Sequence, residues 1–207
     1  VHIYIPNPID DKFLHGFLFL SKISQNLSKF RVYLMGLLTL LMVPLAWLIQ
    51  FLPPLPDFFQ LDSFFSNRTL VGVEFGVIFG VIMVLATATQ KAQISFKDQI
   101  RLIRSFNLSL FDCVFLSLCA GIGEEYLFRI AIQEWVHPLL TAVIFVAIHG
   151  YIRPRDWETT KFGLLILVFI IVLSYAVYDQ GIWFCIGAHA AYDFVLFYHW
   201  SRHNSEY

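Results

Sequence analysis

Gly121-Ile122-Gly123-Glu124-Glu125-Tyr126-Leu127-Phe128-Arg129 sets three ionisable side chains inside a hydrophobic run, and its reading decides the fold. A charge within a bilayer-spanning helix is disfavoured by several kcal/mol, so Glu124, Glu125 and Arg129 need a buried partner network or a wet cavity. On a helix, Glu125 and Arg129 stand four apart on one face and can pair, whereas Glu124 points about 140° away from Arg129 around the axis. Arg129 can therefore neutralise Glu125 and leave Glu124 free. A free, half-desolvated carboxylate suits a general base. The competing structural reading is that both acids only hold helices together.

Outward from this stretch the composition agrees with a membrane setting. The chain has 207 residues, 58% of them hydrophobic and 14% charged, with 22 phenylalanines, and a mean hydropathy of +0.68. That is far more apolar than an ordinary soluble domain. The reading is all-α: a polytopic membrane protein of about six transmembrane helices with an N-terminal interfacial helix. A net charge of −1 argues against a nucleic-acid partner. Cys113, Cys119 and Cys185 lie in apolar segments without a C-x-x-C pair, so they read as small buried hydrophobes. No cofactor and no metal is expected. The first residues lack the basic and small-residue features of a cleavable signal peptide.

Two regions are expected: an amphipathic interfacial segment over 1–31, and a helical transmembrane domain over 32–207 whose motif-bearing core is 108–200. Phe13, Phe17, Leu18 and Leu20 beside Lys12, Lys22 and Lys29 suit a helix lying on the membrane surface. The first span is expected near 32–52, with Pro44 as a possible kink, before Pro53, Pro54 and Pro56 stop it. Phe58, Phe59, Phe64 and Phe65 then suggest an aromatic anchor at the interface. The second span is expected near 70–89, with Glu74 snorkelling from within it. The third runs near 108–135, where Gly121 and Gly123 permit close helix approach or a bend. Pro138 starts a short fourth span to about Gly150. An all-round apolar fifth span over 162–178 reads as lipid-facing packing, and a sixth near 182–200 holds His189 and Asp193.

Basic residues test the six-span assignment. Lys and Arg number four in 1–31, four in 90–105, three in 150–161 and one in 201–207, against Arg68 alone on the other side. By the positive-inside rule both termini are cytoplasmic. Measured at about 1.5 Å per residue from the outer ends of their spans, Glu124, His149, His189 and Asp193 lie roughly 15, 16, 10 and 16 Å deep. Four polar residues from three spans thus fall near one level, which points to one intramembrane site.

Three motifs within 108–200 resemble the CAAX protease and bacteriocin-processing family of intramembrane proteases. E-E-x-x-x-R is Glu124-Glu125-Tyr126-Leu127-Phe128-Arg129, F-x-x-x-H is Phe145-Val146-Ala147-Ile148-His149, and H-x-x-x-N/D is His189-Ala190-Ala191-Tyr192-Asp193. The resemblance implies hydrolysis of a peptide bond in a peptide or membrane-anchored protein, prenylated or not, by a glutamate-activated water in a prokaryotic plasma membrane. Glu124 would take the proton with His149 holding the water or shuttling that proton, and His189 is a candidate oxyanion donor. Glu125, Arg129 and Phe145 would support them. Ionised Asp193 cannot donate as asparagine could, so it is expected to orient His189 instead, unless burial keeps it protonated.

Two alternatives stay open on sequence grounds. A zinc-dependent membrane protease could use the histidines and glutamates, although there is no H-E-x-x-H and the candidates are split over three helices. A bacteriocin-immunity or scaffold protein could use the same polar cluster only to lock its packing.

Overall fold

A computed structural model describes residues 28–54, 58–60 and 66–202. Most of the expected interfacial segment, with Phe64 and Phe65, lies outside the described residues. From Ser28 the chain is already helical, earlier than the boundary at 32. Helix α1 covers Ser28–Ile49, with a turn at Leu41 just before Pro44. It is followed by α2 (Asn67–Thr87), α3 (Gln90–Ser95), α4 (Lys97–Ser105) and α5 (Leu110–Glu125). Helix α5 runs on as a π-helical segment over Tyr126–Ile132, after which come α6 (Pro138–Ile148), α7 (Trp157–Gln180) and α8 (Ile182–Arg202). No strand occurs among the described residues.

Three helices are long and apolar enough to cross a membrane, Ser28–Ile49, Asn67–Thr87 and Trp157–Gln180, rather than six. The others fall short for identifiable reasons. The continuous α5 and π segment carries Asp112, Glu124, Glu125 and Arg129, α6 has only 11 residues, and α8 carries His189, Asp193, His199 and Arg202. Groups suited to chemistry lower the apolar signal of the helices that hold them.

Helix α8 is the hub of the bundle, packing against α2, α4, α5 and α7. Its closest neighbour is α2, because Gly72, Gly76 and Gly80 form a stripe with no side chains along the contact. A Cβ on Gly72 would land on the Phe184 carbonyl, one on Gly76 on the Ala188 carbonyl, and one on Gly80 beside Val195. Such small-residue stripes let helix backbones meet closely where lipid offers no hydrophobic driving force between helices. The contact sets the position of His189, one residue beyond Ala188.

Helix α5 starts with a reciprocal capping box, in which Asp112 N–H donates to Ser109 Oγ and Ser109 N–H to Asp112 Oδ2. Lys29 of α1 forms an ion pair with the same Asp112 carboxylate, which ties α1 to the start of α5. Farther along, Gly123 lets α1 press on α5, since a Cβ there would meet the Thr39 carbonyl, and Gly121 lies against Ile186 and Ala190 of α8. Of the two roles open to these glycines, the structure uses close approach.

Two expectations are corrected by packing. Helix α7 is not simply lipid-facing: Phe162, Ile166, Phe169, Ile170 and Leu173 are buried in the main core. Phe58 and Phe59 pack on Tyr126, at centroid distances of 5.0 and 5.5 Å, and the Tyr126 hydroxyl donates to the Phe59 carbonyl at 2.9 Å. This described part of the aromatic loop points into the protein, where the buried Tyr126 hydroxyl needs an acceptor. Cys113, Cys119 and Cys185 are buried and unpaired.

Candidate active site

The four residues expected to converge do so. Glu124 Oε2 lies 3.4 Å from His149 Nε2 and 3.9 Å from His189 Nε2, and His189 Nε2 lies 3.6 Å from Asp193 Oδ2. Three elements contribute: the end of α5, the C-cap of α6 and the middle of α8. Glu124 retains 14% side-chain exposure and His149 33%, while Glu125 has none. The two adjacent acids therefore occupy different environments.

Glu125 is committed to two partners. Arg129 Nε lies 3.0 Å from its Oε2 and Nη2 donates to Oε1 at 3.4 Å, the pairing that the spacing of four anticipates. His189 Nδ1 is 2.7 Å from the same Oε1. Because a carboxylate accepts, Nδ1 carries the proton and the Nε2 side of His189 is turned towards Glu124 and Asp193. Asp193 faces His189 from the same helical face as expected, at Nε2, while Glu125 holds Nδ1. The cause is packing, since the α5 face bearing Glu125 abuts α8 while Asp193, one turn along α8, reaches only the far nitrogen.

His149 is oriented in the same way by its own helix. Its Nδ1 donates to the Phe145 carbonyl at 2.7 Å, which leaves Nε2 facing Glu124. Phe145 supports all three polar groups around it. Its ring stacks on His149 at 4.3 Å, meets His189 edge-on at 5.9 Å, and lies 5.4 Å from the Arg129 guanidinium carbon. A π-helical turn such as the one carrying Arg129 often marks a functional position.

Glu124, Phe145, His149, His189 and Asp193 border a cavity of about 440 Å³ whose other walls are mainly apolar, from Met35 and Thr39 of α1 through Leu102 and Ile103 of α4 to Trp200 of α8. Tyr151 and Tyr192 also line it, and the sequence reading singled out neither. A larger cavity, about 550 Å³, lies beyond Arg129 but is bordered by neither histidine nor Glu124. Among the described residues no group of three or more His, Cys, Asp and Glu is arranged to hold a metal ion. The arrangement can hold a water between one carboxylate and two imidazole nitrogens, beside an apolar trough.

No curated protein and no solved structure matches the chain. A match to a protein family covers 106–195, a stretch that holds all three motifs and every one of these polar residues, and its description is type II CAAX prenyl endopeptidase Rce1-like. This part of the chain is thus similar to CAAX-type proteases, the family that the three motifs resemble, in an all-helical protein with membrane-spanning segments.

Proposed function

We propose that the chain is an intramembrane endopeptidase in which Glu124 activates the hydrolytic water. The observation that carries this reading is the division of labour between adjacent acids: Glu125 is committed to Arg129 and His189 Nδ1, while Glu124 faces both Nε2 atoms and the cavity. A water held between Glu124 and His149 gives its proton to Glu124 as its oxygen attacks the peptide carbonyl carbon. The carbonyl π electrons move to oxygen, and the oxyanion is met by the Nε2–H of His189, which carries a proton on both nitrogens among the Glu124, Glu125 and Asp193 carboxylates. Collapse of this intermediate breaks the C–N bond, and Glu124 returns the proton to the leaving amine. Phe145 and the Glu125 and Arg129 pair position the two histidines.

The substrate is a membrane-associated peptide or membrane-anchored protein. The apolar cavity walls suit a lipid-modified chain, and the Rce1-like match supports a prenylated C-terminal peptide among the candidates. The α5, α6 and α8 helices join the three candidate spans in one membrane-embedded bundle, with both termini and the basic loops in the cytoplasm of a prokaryotic cell. Leu102, Ile103 and Trp200, which border the cavity near those loops, support entry of the substrate from that side.

The test is cleavage of fluorogenic prenylated and unprenylated peptides by the detergent-purified chain, beside Glu124→Gln, with and without a chelator. Cleavage lost in the variant and indifferent to the chelator supports the reading. Loss of activity to the chelator would replace it with the metalloprotease alternative. A folded wild type inert on the whole peptide panel would leave the polar cluster with a binding or packing role.

A further inference from the structure

The cluster is poor in groups that can stabilise an oxyanion. Glu124, Glu125 and Asp193 only accept when ionised. The guanidinium of Arg129 is turned to Glu125, and His189 Nε2 is already held between Glu124 at 3.9 Å and Asp193 at 3.6 Å. A neutral O–H donor in the same cavity would answer this need.

We propose that Tyr151 is a further catalytic residue, whose phenol donates a hydrogen bond to the tetrahedral oxyanion; this rests on the protease reading above. Tyr151 borders the cavity together with Glu124, His149, His189 and Asp193, and its ring lies parallel to that of His149, 8° apart in plane and 6.4 Å between centroids. Its hydroxyl makes no hydrogen bond with any described residue, and it is not among the polar atoms sealed from solvent without a partner. Burial first, and then the charges of Asp193 and Glu124, push the phenol up to about 12, so it stays a donor at neutral pH. Tyr192, on the same cavity wall, has its ring stacked on Phe169 at 4.7 Å.

The local backbone is built to hold Tyr151 there. Helix α6 ends at Ile148 with His149 as its C-cap, and Gly150 turns the chain back at φ +74°, a left-handed conformation that favours glycine. The Tyr151 N–H then donates to the Val146 carbonyl at 3.3 Å. Its own carbonyl sits on Gly163 of α7, where a Cβ would intrude. Two residues on, the Arg153 N–H donates to Thr160 Oγ1 at 3.0 Å, and that hydroxyl donates to the Arg153 carbonyl at 2.8 Å. In the reaction the phenol keeps its proton: water attacks, Glu124 takes and returns the proton, the C–N bond breaks, and Tyr151 only strengthens its hydrogen bond as charge gathers on oxygen.

The experiment compares wild type with Tyr151→Phe, which removes the hydroxyl and keeps the ring. The expected result is a fall in kcat on the order of 10²–10³-fold with little change in KM and an unchanged melting temperature. Equal kcat in the two proteins overturns the inference and leaves the protease reading standing. A wild type inert on the whole peptide panel overturns the protease reading and the catalytic role of Tyr151 with it. Placement is read without substrate, by 13Cζ-tyrosine NMR of the full chain: the resonance missing from Tyr151→Phe is expected to shift in Glu124→Gln and in Asp193→Asn. A resonance indifferent to both overturns the placement.

Discussion

His189 Nδ1 lies 2.7 Å from Glu125 Oε1, and both groups are buried. Glu125 is thereby the meeting point of a guanidinium from one turn further along its own helix and an imidazole from another helix. A buried carboxylate with two charge-assisted partners is stable only while both remain, because loss of one leaves charge without compensation. Its neighbour Glu124 has no such burden.

The two acids should therefore fail differently. Arg129→Ala strands Glu125 in a site with no side-chain exposure and is expected to cost about 3–5 kcal/mol, enough to unfold much of the protein. Glu124→Gln keeps size and shape at a partly exposed position, so it should melt like wild type while kcat falls on the order of 10²–10⁴-fold. Thermal melts in detergent beside peptide cleavage separate the two. A stable but inactive Arg129→Ala, or an active Glu124→Gln, contradicts the assignment.

Asp193 offers a sharper test of the oxyanion argument. Asparagine at this position would supply an N–H donor where an ionised carboxylate supplies repulsion. Asp193→Asn is expected to retain or raise kcat. In the Tyr151→Phe background it should recover on the order of tenfold of the lost activity, a coupling that a double-mutant cycle reads directly. Additive effects in the cycle would show that the two side chains do not serve one oxyanion.

The α2 and α8 contact sets the height of His189, and Gly76 is its tightest point. A Cβ there meets backbone, the Ala188 carbonyl, which cannot rotate away as a side chain could. Gly76→Ala is expected to cost about 1–3 kcal/mol through forced helix separation, with a parallel loss of activity as His189 moves relative to Glu124. Leucine there should prevent folding. A Gly76→Ala protein with wild-type melting and wild-type kcat would show that the helices separate without disturbing the site.

Much of this site is legible in the chain because it follows from helical spacing. Glu125 and Arg129 pair across four residues, and a shared membrane depth brings Glu124, His149, His189 and Asp193 to one level. What spacing cannot give is the partner chosen across helices. Whether Glu125 or Asp193 holds His189 Nδ1 depends on the rotation of α8, which is set by Gly72, Gly76 and Gly80 against backbone atoms. Tyr151 is hidden for another reason: it follows a helix C-terminus, and only the left-handed Gly150 returns it to the cavity. Hydropathy finds α1, α2 and α7 and not the helices that carry the polar groups.

The loop bearing Tyr151 is docked on the first turn of α7, and that turn is capped by Asp156. Thr159 donates to Asp156 from its hydroxyl at 2.5 Å and from its N–H at 3.1 Å, and these bonds hold the carboxyl below its usual range. A depressed folded-state value means that the cap stabilises fully above the unfolded carboxyl range and is lost as pH falls through the folded value. Amide-exchange protection at Thr159 and Thr160, corrected for intrinsic rate, should therefore drop on acidification. Because Thr160 clamps Arg153, loosening should spread towards Tyr151. Asp156→Asn keeps an acceptor but cannot ionise, so its protection should be flat over the same range. Equal acid sensitivity in the two proteins would assign the loosening to another group.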